Sequence, residues 1–559
     1  MIRFGVSVYS DCITVFSEDD PTHLLVLTDS GYELSVKSVS NNEATPSVNF
    51  YCAGILGAYK LSREIFIAFI TDVKVIGVGI TGKPIYQVEM VEFVKLPSLE
   101  QNSINEKYIS MIDQVLYKIK IYYSHHEDLT RRLQDTLCRP LSEEDHYFPT
   151  TADHHFLFNC PIIQPFYPFR SILLRDLIPT TIFGFVSIIP SITVEQTSFS
   201  LLLISRRSIY RNGRRYNTRG VDLFGHVANF VETEQIVLQN NGIISSFVQV
   251  PPLPPPHSQI RGSIPLEWSQ TPTLKYAPSI RVFGDRSFLN LHFDNLLDRY
   301  GAVVVVNLLD KKGDQLMLGL DPLFYPKITP SQTKRPLEFF WFDFHAECKH
   351  FRYDRLAKLF DGTQECVRNG GYFRFDSRTK EVIAIQHSVI RTNCLDCLDR
   401  SACSIEFHAG TNVVQTLYAQ WMLFYQLFGL KCDAIMKNCA SESGRGAMCR
   451  NLSNPHDIQH VFNNLWSDNA DELSRTGHRT LQGIVNDAVY SVIRYLNNNF
   501  RDGYFEDCIN LTFNHVQMGP NADRRMKGMI KNTFMMFVAV VLTFELTIIS
   551  TFVYLAKPV

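Results

Sequence analysis

The chain has 559 residues, 45% of them hydrophobic and 20% charged, enough for two or three packed domains with a sizeable core. A formal net charge of −2 argues against bulk attraction to nucleic acid or an anionic membrane, so an anionic partner has to be met by a local basic patch. Thirteen cysteines, odd in number and irregular in spacing, argue against a disulfide framework and for reduced thiols in a cytosolic compartment.

Met1 to Val6 runs straight into Asp11, Glu18, Asp19 and Asp20 and lacks the charged-then-apolar layout of a signal peptide. The first hundred residues read as strands: His23–Leu27, Gly54–Ala58 and Ile65–Ile70 are short apolar runs bounded by polar or Gly-containing stretches. Ser38 to Ser47 is a polar loop. Tyr108, Met111, Ile112, Val115 and Leu116 then fall at helical spacing, i, i+3, i+4, i+7 and i+8. The pair His125-His126 has no partner pattern and is left on the surface.

The middle of the chain alternates strand-like and helix-like stretches, which is α/β organisation. Pro251 to Pro256 is a low-complexity proline run, expected as an exposed extended loop. Ala302–Asn307 is a buried-strand candidate. Val382–Ile385 is a strand that leads through Gln386–Ile390 into Arg391-Thr392-Asn393-Cys394, and Val413 to Phe428 marks one face of a long helix.

The chemistry centres on Cys394-Leu395-Asp396-Cys397-Leu398-Asp399-Arg400, a cysteine and an arginine separated by five residues. Cleavage of a phosphate ester by cysteine requires a thiolate to attack phosphorus and a planar cation to hold the equatorial oxygens as charge spreads over them. Arginine suits the second task because its fork contacts two oxygens at once. Five intervening residues let the backbone curl into an anion nest of N–H groups, and a helix starting after the loop would lower the thiol pKa. Two other readings of the same residues stand beside this one: a chance C-x5-R, and Cys394 with Cys397 as a redox or zinc C-x-x-C. No second C-x-x-C completes a four-ligand site.

Near the C-terminus, Phe534 to Leu555 is 22 residues with only Glu545 charged. As a helix it would span roughly 33 Å, about one hydrocarbon core. A buried core helix is the alternative. Arg524, Arg525, Lys527 and Lys531 precede the stretch and only Lys557 follows, which would put the large N-terminal part on the cytoplasmic side. Glu545 near mid-span would cost ~2–3 kcal/mol on insertion scales.

The string Arg391 to Arg400 closely resembles the catalytic loop of the Sac-domain phosphoinositide phosphatases, R-T/V-N-C-x-D-C-L-D-R. Ser205-Arg206-Arg207, Arg215 to Asp222, Gly225 to Val237, Arg261 to Gln270, Phe342 to His345 with Glu347-Cys348, and Trp466 to Asn469 are similar to further blocks of that family, so the resemblance runs from about residue 50 to 515. It implies Cys394 as nucleophile, Arg400 as phosphate clamp and the main chain of Leu395, Asp396, Cys397, Leu398 and Asp399 as the cradle. Asp396 is the implied general acid, then base; Asp399 is the second choice, with capping of loop N–H groups as its other reading. Cys397 reads as a buried small residue. No metal or other cofactor is implied, because thiolate and guanidinium supply the charge. Arg206, Arg207, Arg211, Arg214, Arg215 and Arg219 either meet anionic headgroups or are structural. His345 is either a satisfied core histidine or a base.

Three departures from the family pattern bear on activity. Thr411-Asn412-Val413-Val414-Gln415 follows Arg400 only after ten additional residues, Ser401–Gly410; Val250–Ile260 interrupts another block; and a stretch is shorter at Ala470–Arg475. They read either as errors of gene assembly or as real changes that disable the loop. The branch also usually carries two membrane helices, so the chain is expected to be truncated after Val559 or tail-anchored.

The expected fold is α/β (α+β overall): a β-rich N-terminal subdomain (1–180), an α/β cysteine-phosphatase-like catalytic subdomain (181–516), a basic linker (517–532) and a transmembrane helix (533–556). The expected activity is hydrolysis of a phosphatidylinositol monophosphate, the 4-phosphate first, at the cytoplasmic face of the endoplasmic reticulum or Golgi membrane. The alternative is a catalytically impaired phosphoinositide-binding membrane protein. Partners are the lipid substrate and the membrane, with no nucleic acid; protein partners are open.

Overall fold

The computed structural model describes residues 2–393 apart from segments 41–46, 98–102, 139–150, 250–262, 271–278, 320–336, 350–354 and a few isolated positions, together with 501–515, Leu465 and Asp468. The first layer is a five-stranded antiparallel sheet in the order β4-β3-β2-β1-β5, from β1 (Phe4–Val8), β2 (Ile13–Ser17), β3 (His23–Asp29), β4 (Leu34–Ser40) and β5 (Phe50–Cys52). Phe4, Val6, Ile13, Val15, Leu25 and Leu27 alternate along these strands and are buried, so one face is apolar.

That face joins the core of a ten-stranded sheet, whose strands up to residue 249 are β6 (Gly54–Leu61), β7 (Glu64–Val78), β8 (Pro84–Lys95), β9 (Ile121–Tyr123), β10 (Thr181–Val194), β11 (Thr197–Arg207), β12 (Val231–Gln239) and β13 (Ile243–Gln249). The expected strands at 23–27, 54–58 and 65–70 are therefore present, and the helical spacing from Tyr108 to Leu116 belongs to α1 (Ser103–Leu116). Three short helices follow α1: α2 (Leu133–Cys138), α3 (Cys160–Ile163) and α4 (Ile172–Leu177). Antiparallel pairing of β9 with β10 makes the sheet continuous across residue 180. Gly184 sits in β10 at φ +144°, and a Cβ there would lie 2.1 Å from the Ser205 carbonyl oxygen, so only glycine lets β11 close in.

The next elements are a two-stranded ribbon, β14 (Trp268–Gln270) and β15 (Ile280–Val282), then α5 (Ser287–Tyr300), β16 (Ala302–Asn307), α6 (Gly313–Gly319), β17 (Leu337–Trp341), α7 (Phe344–Glu347), α8 (Leu356–Gly370), β18 (Phe373–Asp376), β19 (Glu381–Ala384), β20 (Ser388–Asn393) and α9 (Asp502–Thr512). The expected strand at 302–307 is β16. β16 pairs in parallel with both β17 and β20, giving a sheet in the order β17-β16-β20. Val303 and Val305 of β16 face α5, whose Leu289, Phe293, Leu296 and Leu297 close a second core.

One expectation is corrected here. The strand at 382–385 does not lead into the cysteine loop: β18 and β19 finish the ten-stranded sheet beside β13. The approach to Cys394 is β20, six residues buried throughout, starting inside the stretch read as a short step. The mixed α/β class and β-rich N-terminal region hold. Among the described residues no helix is long and apolar enough to cross a membrane, and 534–555 lies outside them, as do the proline run at 251–256 and the helix at 413–428.

Candidate active site

In a parallel sheet the ligand crevice lies outside the carboxyl ends of the strands. Here those ends are Trp341 (β17), Asn307 (β16) and Asn393 (β20), with Asn307 and Asn393 in register. Main-chain bonds close the edge: Leu308 N–H donates to the Asn393 carbonyl at 2.9 Å, and Phe342 N–H to the Asn307 carbonyl at 2.9 Å. Asp343 ties two loops together. Its Oδ1 caps α7 by accepting from Ala346 N–H at 2.9 Å, and its Oδ2 accepts from Lys311 N–H at 2.8 Å. Trp341 Nε1 donates to the Leu309 carbonyl at 2.8 Å, and Lys311 Nζ lies 5.4 Å from the Trp341 ring centre.

The strand that enters the cysteine loop is fixed by a buried charge. Arg391 is fully buried; its Nε donates to His292 Nε2 at 3.2 Å, its Nη2 donates to the Ser263 carbonyl at 3.2 Å, and its guanidinium lies 5.6 Å from the Phe293 ring centre. His292 Nδ1 lies 2.7 Å from the Gly225 carbonyl, an acceptor, so this nitrogen carries the hydrogen and Nε2 is left to accept from Arg391. Burial, with Arg391 alongside, holds the His292 pKa well below the usual range, so the imidazole stays neutral. Ser263 Oγ in turn accepts from Gly220 N–H at 3.0 Å. Segments distant in sequence, around residues 220, 225, 263 and 292, thus converge on the strand that ends at Asn393.

At that end the side chains of Thr392 and Asn393 are 2% and 0% exposed, and among the described residues Thr392 Oγ1 and both polar atoms of the Asn393 amide have no hydrogen-bond partner. Such groups are costly to leave unsatisfied, and here they stand immediately before Cys394 in sequence. Cys394, Leu395, Asp396, Cys397, Leu398, Asp399 and Arg400 lie outside the described residues, as does the side chain of His345 on α7.

The arginine run turns inward. Arg206 is 1% exposed and joins Glu232 at 2.9 Å and Glu234 at 2.6 Å, both 0% exposed. Arg207 is buried over Phe183, and burial lowers its pKa to about 10. Arg219 is buried over Trp268 and donates to Gln270 Oε1 at 2.8 Å. Arg211 donates to the Arg219 carbonyl, and Arg214 lies over Phe505. The headgroup-facing reading is corrected for Arg206, Arg207 and Arg219, whose charge is used inside the fold, while Arg211 and Arg214 are half-buried. Arg215 is outside the described residues. His125, read as surface, is half-buried with its ring edge against Tyr86 and Tyr123, and burial lowers its pKa to about 4.

Sequence reading missed His292, which sits on the buried stripe of α5 like an ordinary core residue. It also gave Ser263 and Gly225 no role, although both lie in blocks it had singled out. Arg391, which His292 and Ser263 meet directly and Gly225 meets through His292, is the signal that could have found them: a buried arginine needs acceptors from elsewhere.

Fold and edge together define an α/β protein in which one strand of a parallel sheet, at its carboxyl end, leads into C-x5-R. The SacI homology domain model matches residues 53–349. Phosphatidylinositol-3-phosphatase SAC1-B of Danio rerio is 32% identical over 481 residues, covering 82% of this chain and 75% of its own. Phosphatidylinositol-3-phosphatase SAC1 of Saccharomyces cerevisiae is 30% identical over 489 residues (82% and 71%), and phosphoinositide phosphatase SAC7 of Arabidopsis thaliana 28% over 509 (87% and 78%). The chain belongs to the SacI homology domain family.

Proposed function

We propose that this chain hydrolyses a phosphatidylinositol monophosphate, the 4-phosphate in preference to others, through a phosphoryl group carried on Cys394. As a Sac-family member it is a phosphoinositide phosphatase. The observation that carries the mechanism is β20: a wholly buried parallel strand, pinned by Arg391, that ends at the crevice edge one residue before Cys394. The Cys394 thiolate attacks phosphorus and the phosphorus–oxygen bond to inositol breaks, the leaving oxygen taking its proton from Asp396. Arg400 and the main-chain N–H groups of Leu395 to Asp399 hold the equatorial oxygens. In the second step Asp396, now a carboxylate, takes a proton from water as that water attacks the phosphocysteine, releasing inorganic phosphate and the thiolate. Residues 534–555 would anchor the chain in the endoplasmic reticulum or Golgi membrane, with the catalytic part in the cytoplasm.

The test is phosphate release by the full chain from vesicles carrying either the 4-phosphate or the 3-phosphate, beside Cys394→Ser. Faster release from the 4-phosphate, and none from the serine variant, is the expected result. The Danio and Saccharomyces relatives are named for the 3-phosphate, so faster release there would overturn the preference but not the reaction class. No release from either lipid would leave a phosphoinositide-binding protein disabled by Ser401–Gly410.

A further inference from the structure

Between Val221 and Val227, which form an isolated antiparallel bridge, the chain makes a tight turn with two large apolar side chains at its tip: Leu223 is 68% exposed and Phe224 69%. Turn tips ordinarily carry Gly, Asn, Asp, Ser or Pro, which tolerate or pre-set the turn's backbone angles or bond its N–H groups. This one is also rigid. Asp222 Oδ1 accepts from Phe224 N–H at 2.9 Å and from His226 N–H at 2.8 Å, and Oδ2 faces His226 Nδ1 at 3.3 Å. Gly225 takes φ +81°, where a Cβ would come within 3.0 Å of the His292 main chain and of Asn295. Asn295 Nδ2 donates to the Phe224 carbonyl at 3.2 Å, and His226 stacks on Tyr210 at 4.2 Å. The Asp222 carboxylate is turned onto the turn's own N–H groups, so the tip itself presents hydrocarbon. Leu291 of α5, beside Gly225, adds a third exposed apolar side chain.

Position says what such a tip meets. The Gly225 carbonyl accepts from His292, which accepts from Arg391, so the tip is two hydrogen bonds from the strand that enters the cysteine loop. It also lies on the face where the described chain ends. His515 bonds the main chain of Ile209, next to the Tyr210 ring that stacks on His226. Beyond His515 the sequence carries four basic residues, then the apolar stretch 534–555.

We infer that Leu223 and Phe224 form a hydrophobic wedge that enters the acyl region of the substrate-bearing bilayer and seats the crevice edge on it. The inference rests on the lipid-phosphatase reading and adds to it the surface that meets the membrane. Because the turn is already ordered, insertion carries little ordering entropy, and apolar area leaves water on contact. The recognised chemistry is the uncharged acyl layer; a basic patch is not required.

The test places the photo-reactive p-benzoylphenylalanine at position 224 of the full chain, reconstituted in phosphatidylcholine vesicles with phosphatidylinositol monophosphate. The control carries the same group at position 117. Tyr117 is 85% exposed beside the N-terminal end of α9, where Gln114 bonds Tyr504, and so at the far end of that helix from His515. Lipid adducts from position 224, at least tenfold above position 117, are expected. Adducts to this chain's own residues 516–533 or to another protein segment, equal lipid adducts at both positions, or none at 224 would each overturn the wedge. Crosslinking reads contact without turnover, so failure of the wedge and failure of the phosphatase assay are separate results.

Discussion

Replacing Arg391 with methionine keeps the length of the side chain and removes its donors. His292 Nε2 and the Ser263 carbonyl, both meeting Arg391 at 3.2 Å, then lose their partner inside a core where His292 is 3% exposed. Each buried acceptor left unsatisfied costs about 1–3 kcal/mol, offset in part because methionine carries no charge to desolvate. The expected loss is about 2–4 kcal/mol out of a typical stability of about 5–15. Arg391→Lys keeps the charge but cannot reach both acceptors with one planar fork, and should fall between. Urea titration followed by tryptophan fluorescence reads the loss, since Trp268 and Trp341 are carried by the affected core and edge. Phosphate release, measured where each variant is still folded, reads whether β20 positions the loop: kcat should fall more than KM rises. Unfolding within 0.5 kcal/mol of the parent, or full activity in Arg391→Met, would refute the pinning argument.

Asn393→Ala should lower phosphate release at least tenfold without lowering thermal stability, because the amide's polar atoms have no bond to lose in the described fold; a destabilised but fully active variant would contradict this. Arg206→Met removes the cation between Glu232 and Glu234, leaving Glu232 with Tyr300 and Arg299 and Glu234 with the Leu133 N–H, and should cost about 3 kcal/mol by denaturant titration. Vesicle sedimentation of the folded variant should match the parent, since Arg206 does not face lipid. Burial lowers the His155 pKa to about 3, so the stability gained from keeping it neutral is present above pH 6.5 and is lost as pH falls toward 3. His155→Phe should therefore gain on the parent by about 1.4 kcal/mol per pH unit between pH 6 and 4, measured by urea titration across that range; parallel pH curves would contradict it.

Local patterns were legible wherever one face of an element is apolar: β3, β6, β7, β16 and α1 all follow from runs or helical spacing. The approach to the cysteine loop was not. Val382–Ile385 and Ser388–Ile390 are both short and apolar, and periodicity cannot say which of two adjacent strands joins a parallel sheet and which an antiparallel one; that is decided by pairing with β16, some eighty residues earlier. The arginine run misled for a related reason. A cluster of cations reads as surface until its acceptors are known, and Glu232 and Glu234 of β12, Leu129 of a loop and Gln270 of β14 come from three separate places in the chain. The C-x5-R string itself needed no fold to be noticed, because its cysteine and arginine are close in sequence. What holds it, the chain from Gly225 through His292 to Arg391, exists only in three dimensions.

The central claim is that phosphate passes through Cys394. The most direct measurement is to mix the full chain with phosphatidylinositol 4-phosphate vesicles, quench within the first turnover, and map phosphorylation by mass spectrometry in the parent and in Asp396→Asn. The account predicts a phosphoryl group on the peptide containing Cys394, present in the parent and, in Asp396→Asn, slower to form because the leaving oxygen lacks its acid but longer-lived because water is not activated. Phosphate release with no phosphoryl group on Cys394 in either protein, or with turnover retained in Cys394→Ser, would contradict it.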